Sequence, residues 1–167
     1  MDKQKFRLNL VDEYFERVNF PAELQEYYST KNILVTGGAG AIGSNLIIAL
    51  SKLVGEKGRI IVLDNLTATK DSNPWNVEPM ENILFVKGDV RSDSDLKRVF
   101  KEKINLVFHL AAFFANQNSV DYPELSADVD VIGMIKILEQ SNLSGIEKFI
   151  YASSGCAIYG SFPKLPL

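Results

Sequence analysis

The stretch ILVTGGAGAIGSNL, residues 33–46, constrains this chain more than any other. A short apolar run ends at Thr36, glycines follow at 37, 38, 40 and 43, and residues at helical spacing come next. This reads as a buried strand, a tight turn and the start of a helix. Gly37 permits the turn out of the strand. Gly40 lets the backbone approach a phosphate with no Cβ in the way, and Gly43 lets the helix pack close to the sheet. The helix start offers free N–H groups and a partial positive charge. Gly37, Gly40, Ala41, Ile42 and Gly43 are therefore expected to cradle the pyrophosphate of a dinucleotide. A purely structural glycine turn has the same composition, but the strand before it and the helix after it are the context that phosphate binding demands.

Strands and helices alternate through the rest of the chain. Ile42 to Val54 reads as a helix closed by Gly55 and Gly58, and Arg59 to Asp64 as a second strand. Residues 65–81 are polar, carry Pro74 and Pro79, and read as a loop. Ile83 to Val86 is a third strand. Ser92 and Asp95 fit a capping box for a helix running to about Lys101. Ile104 to Leu110 is a fourth strand. Pro123 to Asn142 is predicted as one helix with Val131, Met134, Ile135 and Leu138 at helical spacing, and Ile146 to Ala152 as a fifth strand. Apolar strands alternating with helices imply an α/β fold, a Rossmann-like doubly wound parallel sheet of about five strands. Residues 1–31 read as an N-terminal helical extension. Val11, Tyr14, Phe15 and Val18 share one helical face, and Pro21 opens a second short helix. Residues 32–167 form the dinucleotide-binding domain.

Composition narrows the function. The chain has 167 residues, room for one ordinary domain, with 46% hydrophobic and 23% charged residues. Its net charge is −3 and it has no Lys/Arg run, which argues against nucleic acid and anionic membranes as partners. One cysteine, Cys156, and one histidine, His109, provide neither an internal disulfide nor a metal site. The first twenty residues mix charged and apolar side chains with no unbroken apolar core, so a secretory leader is not expected, and no stretch is long enough to span a bilayer. A cytoplasmic protein is expected.

Asp64 closes the second strand about twenty residues after Gly43, where an acid that accepts hydrogen bonds from ribose hydroxyls belongs. A carboxylate there repels a 2′-phosphate and favours NAD over NADP; the neighbouring Asn65 is neutral. A strand-end turn would also place an Asp here. His109 ends an apolar strand and reads as a packed, hydrogen-bonded residue ahead of an acid–base one. Phe113 and Phe114 suit either a pocket wall or plain packing, as does Trp75.

With these residues in view, the chain resembles the extended short-chain dehydrogenase/reductases, most closely their nucleotide-sugar epimerases and dehydratases. Thr36-Gly37-x-x-Gly40-x-x-Gly43 is similar to the family's cofactor fingerprint, and four further stretches match in order. Asp64-Asn65-Leu66 matches the acid after the second strand. Gly88-Asp89-Val90 resembles the adenine-contacting turn after the third. His109-Leu110-Ala111-Ala112 resembles the segment passing under the nicotinamide side. Residues 153–160, SSGCAIYG, resemble the active-site segment after the fifth strand. The resemblance covers residues 32–162 and leaves the N-terminal extension outside the usual pattern. It implies that Asp89, Val90, Leu110, Ala111 and Ala112 contact NAD, and that Ser154 supplies the substrate-binding hydroxyl, Ser153 and Cys156 being lesser candidates. The implied chemistry is transient hydride transfer at a sugar hydroxyl.

The chain departs from the family in three places. The family's base is a Tyr in Tyr-x-x-x-Lys, and the one match here, Tyr27 to Lys31, precedes the first strand and falls at the wrong edge of the sheet. The resemblance therefore puts the base and a sugar-binding domain beyond Leu167, so the chain as it stands is expected to be inactive alone. Gly155 stands where the family often has Ser or Thr. Asp130 stands where the family usually has Asn. The expected partner of the complete protein is a nucleotide sugar, with a homodimer left open. A non-catalytic NAD-binding module or an inactive fragment, and a reductase of the same superfamily on a non-sugar substrate, stay as alternatives.

Overall fold

The computed structural model describes residues 3–68, 80–114 and 116–154. Five strands form one parallel sheet in the order β3-β2-β1-β4-β5. The first three are β1 (Asn32–Thr36), β2 (Arg59–Asp64) and β3 (Ile83–Lys87), and the others are β4 (Leu106–His109) and β5 (Lys148–Tyr151). The chain builds outward from β1 through β2 to β3, then returns to lay β4 on the other side of β1. That reversal makes the carboxyl ends of β1 and β4 the topological switch point, where open α/β sheets have their ligand crevice.

Strand composition follows from burial on both faces. Ile33, Leu34, Val35, Ile60, Ile61 and Val62 are all fully buried. Side chains alternate faces along each strand, so the two halves of the core are separate. Ile33, Val35, Ile60 and Val62 pack with Ile47, Ile48 and Leu50 of α3 (Ala41–Leu53). Leu34, Ile61, Leu63 and Val107 face the other way. They meet Leu96 and Val99 of α4 (Asp93–Phe100) and Ile137 of a later helix. Each such side chain contributes about 1.5–3 kcal/mol on burial.

The N-terminal extension is helical: α1 (Lys3–Glu16) and α2 (Ala22–Tyr28). Val11 and Phe15, with Tyr27 and Tyr28, pack on the α3 side of the core. Tyr14, predicted on the same face as Val11 and Phe15, is 64% exposed. Pro21 caps α2 in an extended conformation and does not begin it.

Two further predictions are corrected. Ser92 does cap α4, accepting from the Asp95 amide at 3.3 Å, but Asp95 does not complete the reciprocal box. Its carboxylate instead accepts from the Asp89 amide at 3.0 Å, and the Ser92 amide donates to the Asp89 carbonyl. The helix predicted over 123–142 runs without a break to Leu143, but a π-helical turn (Asp128–Ile132) divides it into α6 (Pro123–Ala127) and α7 (Gly133–Leu143). A short α5 (Asn116–Asp121) that no apolar stripe announces precedes them. On α7 the buried positions are Gly133, Ile137 and Ser141, and Met134 packs half-buried on the same core, whereas Ile135 and Leu138, with Val131 of the π turn, are exposed. Pro74, Pro79, Trp75 and residues 155–160 lie outside the described residues.

Gly37 leaves no room for a side chain. Its φ is +68°, and a Cβ there would stand 2.6 Å from the Ala111 amide nitrogen. Gly37→Ala combines a left-handed backbone with a collision against main chain that cannot swing aside. It should cost about 2 kcal/mol or more in denaturant unfolding. An unchanged midpoint would contradict this placement.

Candidate cofactor crevice

β1 delivers Thr36 and Gly37 to the carboxyl edge, and α3 starts four residues later. Gly40 is the N-cap of α3 and has no side chain to accept from the first-turn amides, so no side-chain cap occupies the start of this helix. Ala41 and Ile42 stand exposed there, Ile42 at 71%. A side chain on Gly43 would overlap the Gly37 carbonyl and the Gly38 backbone, so the helix start lies against the loop only because Gly43 lacks one. Nothing but the Gly37 carbonyl, 3.2 Å away, lies within 4 Å of where a Cβ on Gly40 would stand. These are the features a phosphate cradle requires.

Asp64 closes the adjacent side. One carboxylate oxygen accepts from the Ala39 amide of the glycine loop at 2.9 Å, the other from the Leu66 amide at 2.8 Å. The residue thus ties the loop after β1 to the turn after β2, where Leu66 adopts a φ of +64°. A carboxylate has about four acceptor sites, so both oxygens retain capacity for hydroxyl donors. Asn65 turns its amide to the Asp89 carboxylate at 2.9 Å and its carbonyl to Thr67.

Asp89 begins the turn after β3 and is held by Arg91. The Arg91 main-chain amide, Nε and Nη2 all donate to its carboxylate, each at 2.9 Å. This bonding holds the Asp89 carboxyl well below the usual carboxylate range. The other arm of Arg91 reaches Asp128 of the π turn at 2.9 Å. The Val90 side chain is buried in the core, which leaves its backbone for any contact across the crevice.

The segment after β4 forms the floor. His109 is buried, its Nδ1 2.7 Å from the Thr36 hydroxyl. That hydroxyl also accepts from the Ala111 amide at 3.3 Å. Leu110 is partly buried on the α3 side, Ala111 packs on the other side, and Ala112 is exposed. Phe113 is half-buried, with its amide donating to Asp130 at 2.7 Å, while Phe114 is 85% exposed. Ser153 and Ser154 follow β5 at the same edge and are exposed. Cys156 falls outside the described residues.

The crevice thus gathers Gly37–Gly43, Asp64, Asn65, Asp89 and Leu110–Ala112 along one edge. It does not include Tyr27 and Lys31. They lie at the amino edge, where the Lys31 and Lys148 ammonium groups sit 5.1 and 4.8 Å from the Tyr27 ring centre and Lys31 pairs with Glu147. Arg91 and Asp128 were not singled out from sequence. An Asp whose carboxylate accepts from the amide two residues on is a familiar turn, and Asp89-Val90-Arg91 carried that signal. Among the described residues, no cluster of three metal-ligating side chains occurs and no helix is long and apolar enough to cross a membrane.

Burial sets the protonation of His109. Desolvation pushes its imidazole down to about 4, and the nearby Asp130 charge offsets only part of this. The folded chain therefore refuses a proton that the unfolded chain, at about 6.5, accepts. The associated stability is whole above about pH 6.5 and is lost as pH falls toward about 4, a difference of roughly 3 kcal/mol. Unfolding at pH 7.5 and pH 4.5 should show the unsubstituted chain losing about 2–3 kcal/mol more than His109→Gln. Equal losses would show that His109 is not held neutral.

The model of the NAD dependent epimerase/dehydratase family matches residues 33–166. The UDP-glucose 4-epimerase of Mycolicibacterium smegmatis is 37% identical over 134 residues, which is 80% of this chain and 42% of that protein. An epimerase structure from Methanothermobacter thermautotrophicus superposes with a TM-score of 0.79 at 50% identity, over 87% of this chain and 41% of that one. The UDP-glucose 4-epimerase of Thermus thermophilus in complex with NAD superposes at 0.69 with 35% identity, over 80% and 40%. This chain spans about two fifths of the length of these relatives.

Proposed function

The chain belongs to the NAD dependent epimerase/dehydratase family, and from that membership we propose that its crevice holds NAD as the cofactor half of a nucleotide-sugar epimerase or dehydratase. The observation that carries the proposal is the alignment of two features. The start of α3, which no side chain caps, lies at the switch point between β1 and β4, and Asp64 grips the same loop from β2.

The residues present fit a dinucleotide. Amides at the start of α3, with Gly40 leaving their approach clear, meet the pyrophosphate. Asp64 accepts from the adenosine ribose hydroxyls with the acceptor capacity its two backbone partners leave open. The turn at Asp89 and Val90 borders the adenine, and Leu110 to Ala112 border the nicotinamide side. When bound, NAD supplies the acceptor and donor of a hydride. The chain orients it: Thr36 fixes Ala111, and Gly37 seats against the same residue, so the floor is set before the ligand arrives. Ser154, exposed at the end of β5, is assigned the hydrogen bond to a sugar oxygen. The proton acceptor and the sugar-binding groups are assigned to the length that relatives have and this chain does not share.

NAD titration of this chain by calorimetry tests the proposal. Saturable binding of NAD in preference to NADP is expected. Asp64→Arg should weaken NAD by about tenfold or more and narrow the preference, since it removes the ribose acceptor and offers a cation to a 2′-phosphate. Unchanged NAD affinity in this variant would remove Asp64 from the ribose site. Absence of NAD binding by the unsubstituted chain would overturn the proposal as a whole.

A further inference from the structure

The helical stretch between β4 and β5 bridges two sides of the crevice, and the bridge is built at its π turn. A π turn inserts a wider ring into an α-helix and re-aims the side chains it carries. Here the re-aimed residues are Asp128 and Asp130. Asp128 pairs with Arg91, which grips Asp89 on the β3 side. Asp130 faces the β4 side, where one carboxylate oxygen accepts from the Phe113 amide at 2.7 Å and the other from the Ser126 hydroxyl at 3.0 Å.

The helix around the turn is held firmly. A Cβ on Gly133 would stand 2.8 Å from the Val90 side chain, so α7 starts in close contact with the β3 turn. Lys136 donates to the Arg91 carbonyl at 2.7 Å and pairs with Asp93 at 2.9 Å. Asp130 is therefore presented from a fixed platform, and what it holds is loop. Beyond His109 the floor keeps one main-chain bond to the sheet, from the Leu110 amide to the Thr36 carbonyl at 3.1 Å, and among the described residues Ala111–Phe113 make no further one. It is pinned at one end by Thr36, through His109 and the Ala111 amide, and at the other by Asp130, through the Phe113 amide. Ala112 spans the two pins and stands exposed.

We propose that Asp130 is a positioning residue of the cofactor crevice, its carboxylate presented by the π turn to hold the Phe113 amide and so set the course of Leu110–Phe113. It acts through the loop and not on the cofactor. The inference rests on the reading that this crevice takes NAD, and it accounts for an acid here. A carboxylate accepts from the Phe113 amide and the Ser126 hydroxyl at once, with one oxygen for each. An amide serves the first with its oxygen and must turn its NH2 to the Ser126 oxygen.

The test compares the unsubstituted chain with Asp130→Ala and Asp130→Asn. It uses amide hydrogen exchange resolved at Phe113 and NAD titration, with circular dichroism to establish folding. In the unsubstituted chain the Phe113 amide should exchange slowly although it lies in a loop. Asp130→Ala should release that amide and weaken NAD by about tenfold. Asp130→Asn should keep both within about threefold, because its oxygen still accepts from Phe113. A merely structural role would lower stability in both variants without this pairing of exchange and affinity, or its rescue by Asn. Fast exchange of Phe113 in the unsubstituted chain overturns the inference even if the alanine variant does not fold. NAD affinity unchanged in a folded Asp130→Ala overturns it while leaving the cofactor reading intact. Absence of NAD binding by the unsubstituted chain overturns both.

Discussion

Where β1 leaves the sheet, its backbone passes so close to the segment after β4 that Gly37 has no room for a side chain beside Ala111. Much else follows from that contact. It requires a left-handed residue at the turn, brings Thr36 within reach of His109 and Ala111, and starts α3 against the loop only because Gly43 is also bare. The crevice is thus a consequence of two backbones meeting at a topological switch point. Its floor and its phosphate-facing wall share one anchor.

Three acids then shape the rim, and all three work on main-chain amides. Asp64 takes those of Ala39 and Leu66, Asp89 takes that of Arg91, and Asp130 takes that of Phe113. Each carboxylate defines a different loop at the carboxyl edge, where no strand partner remains to do so. A carboxylate suits this task because it accepts from several donors at once, and bonds to ionised groups are the stronger ones. Their charge is spread over backbone donors and, at Asp89, over Arg91 as well. That leaves the start of α3 as an opening toward which an anion is drawn.

The strands, the glycine turn and Asp64 were legible in the sequence because each is dictated locally. Strands buried on both faces must be apolar, and a close backbone approach must be glycine. The helix after Pro123 was legible, but its buried face and its π turn were not. Its buried stripe is Gly133, Ile137 and Ser141, two of them nearly without apolar surface, so Val131, Ile135 and Leu138 drew the pattern to the exposed side. Its π turn coincides with contacts to residues far away in sequence, namely Asp128 with Arg91, Asp130 with Phe113 and Gly133 with Val90. Asp95 illustrates the same limit, since its spacing from Ser92 fits a capping box but the Asp89 amide competes for its carboxylate and wins. The bond from the Phe113 amide to Asp130 was hidden because a backbone donor leaves no mark on residue type.

The central claim is that one edge of this sheet, organised around the start of α3, receives NAD. Amide chemical-shift mapping of the labelled chain during addition of NAD tests it most directly. The account predicts shifts clustered at Gly38–Gly43, Asp64–Leu66, Asp89–Val90 and Leu110–Phe113, with the amino edge around Tyr27, Lys31 and Lys148 undisturbed. Shifts confined to that opposite edge, or to the apolar groove that Phe6, Leu10 and Tyr14 of α1 form with Asn45, would contradict it.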